Sequence, residues 1–429
     1  MDLSEIRERH RAADHAADKH LEVTREIYRH FWPHRVEEFD EDPSTTPAMM
    51  WASLPATMAD ESASRLQAGI APLFQVWLKL SPPTTLSDGD KRRVAKRFSE
   101  LNTKMWQDLG RNFGDTLGQF LSDGLNGIGA FLIEDGGLDA PFNFQVEPML
   151  NMRVEIGPNG EDTAMFRRRR RSLQQITRRW PQWTPPPEMM LSKPDTEWTV
   201  WEGALRHQTD REERWTVIAW VGEEFSEADP RILERREVSG AGSCPWIIFR
   251  WDRSPSSSWG FGPLYKLLST ARRMVHFAEK GAQGAARSVV GTYMADDDGV
   301  TNVDNITLGD GEVIPVSPNS NGIRPIPPAG RFDHWEFYTK HLEYEMTRGL
   351  FLDRLGSPEG TPMSATEVLE RRQELARVIN GPYNRITSMM DRLIRRLLWI
   401  KKEDPEYKLP EINGEPVEIE MLGPFARDQ

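Results

Sequence analysis

Two long helical patterns flank a short acidic segment in this chain of 429 residues. Of all the features of the sequence, this arrangement most restricts the folds that the chain can adopt. From Leu264 to Val289 the apolar residues recur three and four positions apart, which predicts a first helix of about 28 residues. A second helix is predicted from about Phe332 to Leu352. At a rise of 1.5 Å per residue these helices would be about 42 and about 32 Å long. Arranged antiparallel, they would form a stalk that carries residues 291–330 at its tip.

Such a stalk is poorly stabilised alone, because its apolar stripe would face water. The stripe of the first helix ends in small residues, namely Ala278, Gly281, Ala282 and Ala285. A glycine inside an exposed helix costs about 1 kcal/mol relative to alanine, so we expect a compensating close approach of a neighbouring helix backbone. The sequence therefore predicts that copies of the chain pack side by side in a ring, with these four residues at the packing surface.

The segment RLGSPEGTPMSATEVLERR, which follows the second helix, combines an irregular loop with a well-defined helix start. Four glycines and prolines between residues 356 and 362 exclude regular structure in its first half. Ser364 and Glu367 have the spacing of a capping box, which predicts a helix from Ala365 to about Lys402. Gly381 and Pro382 predict a kink within that helix. A flexible loop is thus attached to a firmly capped helix.

The rest of the chain predicts an α+β fold that is predominantly α. Helical patterns precede the stalk, and strands with turn signals between them occupy about residues 140–250. The predicted helices are residues 1 to about 31, a helix from about Ala59 and a long pattern between Lys91 and Leu125; the predicted strands lie in GIGAFLIEDGG, FNFQVEP, MRVEIGPNGED, EWTVWEG, RWTVIAWVGEEF and WIIFRWD.

Composition and charge exclude several classes of function. The single cysteine, Cys244, rules out an intrachain disulfide framework and leaves no cysteine pair for a zinc site. No apolar run approaches the ~20 residues that span a bilayer, so we expect no membrane partner. The net charge of −12 argues against general affinity for nucleic acid, because non-specific binding comes from neutralising phosphates. Phosphate-loop, HExxH and GxSxG motifs are absent, so we predict no enzyme activity, no cofactor and no metal.

The run FRRRRRSLQQITRRW, Phe166 to Trp180, is the strongly basic part of the chain. Five consecutive arginines, Arg167–Arg171, could form a nucleic-acid patch. Alternatively, they end a strand that leads into a helix and pair with acidic residues of neighbouring strands or subunits. We favour the second interpretation because the protein is acidic overall.

Five segments, taken in order, resemble the portal proteins, or head-to-tail connectors, of short-tailed bacteriophages. The resemblance covers nearly the whole chain. It rests on ADESASRLQAGIAPLFQVWLKLSP, FRRRRRSLQQITRRWP, PWIIFRWDRSPSSSWGFGPLYKLLSTARRM, TPMSATEVLERRQELARVINGPYNRI and VEIEMLGPFARD. The third segment has the most recognisable pattern, a strand ending in Arg-Trp and then an aromatic-Gly-x-Gly-Pro entry to a long helix.

The resemblance implies a portal fold that assembles into a dodecameric ring around a DNA channel. The implied parts are a wing at 1–260, stem helix one at 261–290, a clip at 291–330, stem helix two at 331–352, a tunnel loop at 353–363, a kinked wing helix at 364–403 and a C-terminal segment at 404–429. The family often carries a helical crown after this point, so either the crown is missing here or the sequence is cut short.

The same resemblance implies the partners and the place of the protein. Double-stranded DNA would pass the tunnel loop, where Arg354, Ser357, Glu359 and Thr361 are the candidate contacts. The clip would bind partners through its acidic residues, which are Asp296, Asp297, Asp298, Asp310 and Glu312. The implied partners are the terminase, the major capsid and scaffold proteins and the tail adaptors. The implied location is the portal vertex of the virion, after assembly in the host cytoplasm.

Two other functions remain open at this stage. A tail adaptor or other neck component would keep the ring and change its neighbours, although adaptors tend to be shorter chains. A metal-dependent DNA-processing enzyme would need acidic residues at several strand ends of one core, whereas Asp296–Asp298 lie together on one turn-rich segment. We therefore expect a portal protein that has no catalytic site.

Overall fold

Helices dominate the structure of this chain. The computed structural model describes residues 1–39, 41–72, 75–137, 140–207, 212–222, 231–254, 257–290, 293–295, 323–325, 332–355, 365–410 and 417–422. Helix accounts for 54% and strand for 22% of the structure. The predicted α+β class with helix in the majority is therefore confirmed.

The helices follow the predicted patterns closely. In chain order they are α1 (Leu3–Phe31), α2 (Pro47–Met50), α3 (Leu54–Ile70), α4 (Asp88–Asn126), α5 (Leu173–Arg179), α6 (Pro187–Met190), α7 (Pro263–Val290), α8 (Phe332–Gly349), α9 (Leu352–Leu355) and α10 (Ala365–Ile400). Short 3-10 turns cover Pro33–Phe39, Pro43–Thr45, Met149–Asn151 and Pro405–Tyr407. The start of α10 at Ala365 agrees with the cap predicted at residue 364.

The strands form antiparallel sheets. They are β1 (Leu78–Ser81), β2 (Ile128–Asp135), β3 (Phe142–Glu147), β4 (Met152–Ile156), β5 (Asp162–Ser172), β6 (Glu197–Arg206), β7 (Arg214–Val221), β8 (Ile232–Ser239), β9 (Trp246–Arg250), β10 (Tyr293–Ala295), β11 (Ile323–Pro325) and β12 (Glu418–Met421). The strand orders are β3-β2-β9, β4-β5-β6-β7-β8, β1-β12 and β10-β11. The β-rich part predicted at about 140–250 therefore consists of the five-stranded sheet and two strands of the three-stranded sheet.

Strand β2 separates a helical layer from the five-stranded sheet. Its side chains alternate between the two sides, as the pleat of a strand requires. Phe131 and Ile133 belong to the large core cluster formed with the helices. Ile128, Ala130 and Leu132 belong to a second cluster shared with the five-stranded sheet. Because both faces are covered, the strand is apolar almost throughout, as its sequence indicates.

Three glycines allow the end of α4 and the start of α7 to cross in direct backbone contact. Gly127 has φ = 131°, a conformation that favours glycine. A Cβ atom on Gly260 would lie 2.1 Å from the Gly127 carbonyl oxygen, and one on Gly262 would lie 2.1 Å from the Leu125 carbonyl oxygen. The Gly262 amide donates to the Asn126 carbonyl across this crossing, at 3.1 Å. The Gly-x-Gly-Pro pattern is thus explained by a backbone crossing that leaves no room for side chains.

We expect Gly262→Ala to lower the free energy of unfolding by about 1–3 kcal/mol, because the added methyl group must displace backbone atoms of α4. Urea denaturation measures this change. Gly381→Ala is the matched control: this glycine is an exposed position inside α10 with nothing within 4 Å of an added Cβ, so its replacement should leave stability unchanged or raise it. Equal effects of the two substitutions would contradict the crossing as the cause.

One detail of the helices differs from the sequence prediction. Helix α4 contains a break at Gly110, with φ = 58° and ψ = −170°, where an unbroken pattern was expected. Leu109 and Phe113 on either side are both buried, so the apolar spacing gives no sign of the break. Helix α10 runs through Gly381 and Pro382 to Ile400, as the predicted helix from Ala365 to about Lys402 requires, and the kink at these two residues stays a prediction.

The arginine run forms the end of β5 and leads into α5, as the favoured interpretation predicts. Ser172 caps α5 through a capping box with Gln175. The Arg167 side chain is completely buried, with its Nη1 3.1 Å from Glu147 Oε2 and its Nη2 2.7 Å from Glu202 Oε1. Its guanidinium also lies 5.0 Å from the centre of the Trp246 ring. These contacts connect the three-stranded sheet to the five-stranded sheet.

The other inward-facing arginines extend the same network. Arg169 pairs with Glu147 at 2.7 Å, and Arg179 of α5 bridges Glu134 at 2.9 Å and Glu202 at 2.8 Å. Burial by itself raises the pKa of the Glu202 carboxyl, but the surrounding guanidiniums outweigh burial and hold that pKa below its usual value. The arginines of this run that face inward therefore form ion pairs with acidic residues of the same chain.

Candidate ring-packing surface and channel segment

Helices α7 and α8 form the antiparallel hairpin predicted from the sequence. Arg273 near the base of α7 donates to Glu345 of α8 at 2.9 Å. Farther along, the rings of Phe277 and Tyr338 pack with their centres 4.6 Å apart. At the far end, β10 pairs with β11 through Tyr293–Pro325, Met294–Arg324 and Ala295–Ile323. The predicted stalk is therefore a two-helix hairpin closed by a two-stranded ladder.

The glycine in the middle of α7 accommodates a tryptophan of α8. A Cβ atom on Gly281 would lie 2.6 Å from the Trp335 ring. The indole nitrogen of Trp335 donates to the Phe277 carbonyl at 2.8 Å. Close approach was predicted here between helix backbones, but the group that approaches is an aromatic side chain of the same subunit.

The base of the hairpin is tied to the helical layer. Leu342 and Met346 of α8 are fully buried in the large core cluster. Arg272 on the outer side of α7 forms an ion pair with Glu26 of α1, and the hydrogen bond from this guanidinium lowers the pKa of the Glu26 carboxyl. The lower half of the hairpin is thus held firmly within one chain.

The upper half of the hairpin is not covered by the described residues. Ala282 and Ala285 are exposed, although they continue the stripe that is buried farther down α7, and Ala278 is half-buried. On α8, Phe337 is 75% exposed, and Tyr344, which lies nearer the base between the buried Leu342 and Met346, is 58% exposed. Neither of these two aromatic residues was predicted from the sequence as part of the packing surface. Their spacing of seven on the side of α8 away from the buried stripe is the signal that could have identified them.

The segment leading to the predicted channel loop is anchored to α3. Ser62 donates to the Leu350 carbonyl at 2.9 Å, and Arg65 donates to the Leu352 carbonyl at 3.0 Å. Phe351 between them has φ = 61°, which is uncommon for a residue other than glycine. The chain therefore makes a sharp, well-supported turn just before the loop.

Helix α10, which follows the loop, is anchored at its other end to the three-stranded sheet. Arg392 donates to the Ile248 carbonyl at 2.8 Å, and Arg396 donates to the Ile133 carbonyl at 3.0 Å and the Ser243 carbonyl at 2.9 Å. The loop thus lies between a turn that is bonded to α3 and a helix whose far end is bonded to the sheet.

Most of the predicted partner and channel residues lie outside the described part of the chain. Asp296, Asp297, Asp298, Asp310 and Glu312 are in this group, as are Ser357, Glu359 and Thr361. Arg354 belongs to α9. Of the four predicted packing residues, Gly281 contacts α8. Ala278, Ala282 and Ala285 lie on the stripe of α7 beyond the buried base of the hairpin.

Within the described ranges, no cluster of three or more His, Cys, Asp or Glu side chains could hold a metal ion. Among the helices in the same ranges, none has the length and apolar composition to cross a bilayer.

Comparison with known proteins identifies the family. The model of the bacteriophage head to tail connecting protein family matches residues 3–429. The chain belongs to this family, so it is a structural component of a virion and not an enzyme. The comparison with curated proteins found no match.

Three solved structures resemble the chain, each at 10% sequence identity over 86% of its length. They are the neck of an empty gene transfer agent (GTA) particle computed with C6 symmetry (TM-score 0.41, 80% of that chain), the virion of a native GTA particle (0.40, 79%) and the neck of a native GTA particle computed with C12 symmetry (0.38, 80%).

Proposed function

We propose that this protein forms the portal ring at one vertex of a phage capsid. In this role, the terminase packages double-stranded DNA through the ring, the DNA later leaves by the same channel, and the tail attaches to the ring. Membership of the head-to-tail connector family supports the proposal. The observation that carries it is the uncovered upper half of the α7–α8 hairpin.

In a single chain, this apolar surface of the hairpin would face water, which is unfavourable. Phe337 and Tyr344 project from α8, and the small side chains of Ala282 and Ala285 leave a shallow surface on α7. Bulky aromatic groups and small residues are complementary shapes, and a heterologous contact between them closes into a ring when the rotation between subunits allows it. We therefore assign the two surfaces to neighbouring subunits of a dodecamer.

The charge of the protein suits a channel along which DNA slides. Duplex DNA carries about one negative charge per 1.7 Å of its axis, and a surface that binds it tightly must neutralise those charges. With a net charge of −12, each subunit lacks an overall excess of positive charge. The inward-facing arginines of the basic run are already paired within the chain. DNA would therefore pass with few strong contacts.

The loop at 353–363 would line the narrowest part of the channel. Its ends start from a turn anchored to α3 and from a helix anchored to the sheet, so it can extend toward the axis without disturbing the wing. Arg354, Ser357, Glu359 and Thr361 would make light, reversible contacts with phosphates. At the opposite end of the hairpin, the acidic segment that follows β10 would dock basic surfaces of the terminase or a tail adaptor.

We expect Ala285→Leu to shift the protein from rings toward monomers. The larger side chain overfills the proposed contact at a cost of about 1–3 kcal/mol per site, and the cost is repeated in every subunit of the ring. Native mass spectrometry of the purified protein measures the distribution of species. Thermal unfolding of the monomer should be unchanged, because Ala285 is exposed in a single chain.

Ala95→Leu provides the control, because Ala95 is an exposed alanine on α4 and undergoes the same change in size. Gly281→Leu is less informative, because it would clash with Trp335 inside one subunit. If the Ala285→Leu variant forms rings as well as the unmodified protein does, this surface is excluded from the interface. An unmodified protein that stays monomeric would exclude the ring.

A further inference from the structure

A wide cleft separates α10 from the β-rich part of the chain. Its volume is about 790 Å³, which is within the range of ligand-binding clefts. The lining comes from the β4–β5 turn, the end of β6, the segment around β9 and the face of α10 between Gly381 and Arg395. None of the described residues that line it belongs to the α7–α8 hairpin, so the roles proposed above leave the cleft unexplained.

Positive charge dominates the lining of this cleft. The arginines are Arg206, Arg250, Arg253, Arg385, Arg392 and Arg395, and the acids that share the lining are Glu161, Asp162 and Glu213. Asp162 is already bonded to Arg250 at 2.7 Å. The Glu213 carboxylate accepts from the Trp215 indole at 2.9 Å and from the Gly242 amide at 3.2 Å. Asp162 also lies 3.7 Å from Arg392, while Arg385 and Arg395 pair with Asp252 and Asp391. The arginines of the lining that have no acidic partner among the described residues are therefore Arg206 and Arg253.

Two of the arginines have unused hydrogen-bonding capacity. Within the described residues, the Arg206 guanidinium forms no hydrogen bond or ion pair; only its backbone carbonyl is used, as an acceptor from Arg9. Arg253 donates from Nη1 to the Gly160 carbonyl at 2.7 Å and has no acidic partner among the same residues. A guanidinium presents five N–H donors, so both groups can bind an incoming carboxylate.

One residue of the lining, Glu161, also carries an acceptor without a donor. Glu161 Oε2 is buried and has no hydrogen-bond partner in the described part of the chain. A buried acceptor without a hydrogen bond raises the free energy of the folded protein. A ligand N–H group that donated to it would remove this penalty. The backbone of nucleic acid brings only acceptors and negative charge, whereas a peptide brings both amide donors and carboxylates.

The nearby cysteine does not suggest a chemical role. Burial raises the pKa of the Cys244 thiol to about 12, so it remains a protonated, unreactive group at neutral pH. The rest of the lining includes apolar side chains such as Trp215 and Ile248, which are both almost fully buried. The cleft therefore has the composition of a binding site, with polar groups arranged around an apolar base.

We propose that this cleft binds an extended, acidic peptide segment of a partner protein. The carboxylates of the segment would pair with Arg206 and Arg253, and one of its backbone amides would donate to Glu161. Because the cleft is formed within one subunit, the proposal holds whether or not the ring model is correct.

Fluorescence anisotropy with a short labelled Glu-rich peptide tests the proposal on the full-length protein. The double variant Arg206→Gln/Arg253→Gln should bind this probe about tenfold or more weakly, because a hydrogen bond to a charged group contributes roughly 1.5–3 kcal/mol. Arg168→Gln is the matched control: Arg168 is an exposed arginine on β5 that does not line the cleft, and its loss should leave the affinity unchanged. Added salt should weaken binding to the unmodified protein.

A labelled single-stranded oligonucleotide and a Gln-rich peptide complete the experiment. Tighter binding of the oligonucleotide, with the same dependence on Arg206 and Arg253, would overturn the assignment to a peptide. No binding of the Glu-rich peptide, or equal binding by all variants, would overturn the site itself. If the double variant does not fold, Arg206→Gln alone carries the test, because this guanidinium forms no hydrogen bond or ion pair within the described chain.

Discussion

Arg167→Met is expected to lower the free energy of unfolding by about 3–5 kcal/mol. The guanidinium of Arg167 is completely buried and bonds to both Glu147 and Glu202. The substitution keeps an apolar side chain of similar length but leaves two carboxylates in the interior with fewer positive partners. Removal of one member of a buried ion pair has a cost of this size, because the charge left behind has lost its hydration. Urea denaturation of the purified protein measures the change.

The neighbouring arginine supplies the control. Arg168 is on the same strand and its side chain is exposed, so Arg168→Met should change the free energy of unfolding by no more than about 0.5 kcal/mol. A large effect at both positions would indicate that strand β5 tolerates no substitution. A small effect at both would show that the network between the two sheets contributes little to stability.

Removal of Ser357 to Gly360 is expected to reduce the DNA packaged per particle to a small fraction of the normal amount, while rings still assemble. The reason is geometric: the loop is the proposed constriction, whereas the hairpin and α10 are held by contacts that do not involve it. Quantifying the DNA in purified particles, together with electron microscopy of the rings, separates the two effects.

Ser364→Ala changes the same region, but it is expected to affect the stability of the subunit and not the packaging of DNA. Loss of the helix cap should lower the free energy of unfolding by about 0.5–2 kcal/mol and leave packaging almost unchanged, because the loop keeps its length. If particles with the shortened loop fill and retain their DNA normally, the assignment of residues 353–363 to the channel is wrong. If the rings themselves fail to form, the loop belongs to the assembly surface instead.

The helical hairpin and the start of α10 were predictable because their signals are local. Apolar residues at intervals of three and four reveal a helix of this length without knowledge of its partners, and a cap at residue 364 is encoded within four residues. The Gly-x-Gly-Pro pattern was also recognisable, but its cause was not. It depends on Gly127, which lies more than a hundred residues earlier in the chain.

Contacts between distant segments explain most of what the sequence did not reveal. The acids that neutralise the basic run come from β2, the end of β3 and β6, so a pattern search could only suggest that partners exist. Strand β8, with the sequence ILERREVS, lacks the apolar alternation of a half-buried strand and was missed. The cleft is similarly invisible in the sequence, because Glu161, Arg206 and Arg253 meet only after the sheets and α10 have packed.

The pairing of β1 with β12 has a consequence for how the protein folds as it is synthesised. Leu78 pairs with Met421, and Thr84 hydrogen-bonds to Glu418, 334 residues later in the chain. Closing so large a loop carries an entropic cost that the contacts formed on closure must offset. Contacts between segments so far apart in the sequence form slowly. Because β12 emerges from the ribosome long after β1, the edge of β1 stays unpaired through most of translation. This small sheet is therefore completed only after β12 has been synthesised, and an unfinished chain would expose an open strand edge to its neighbours.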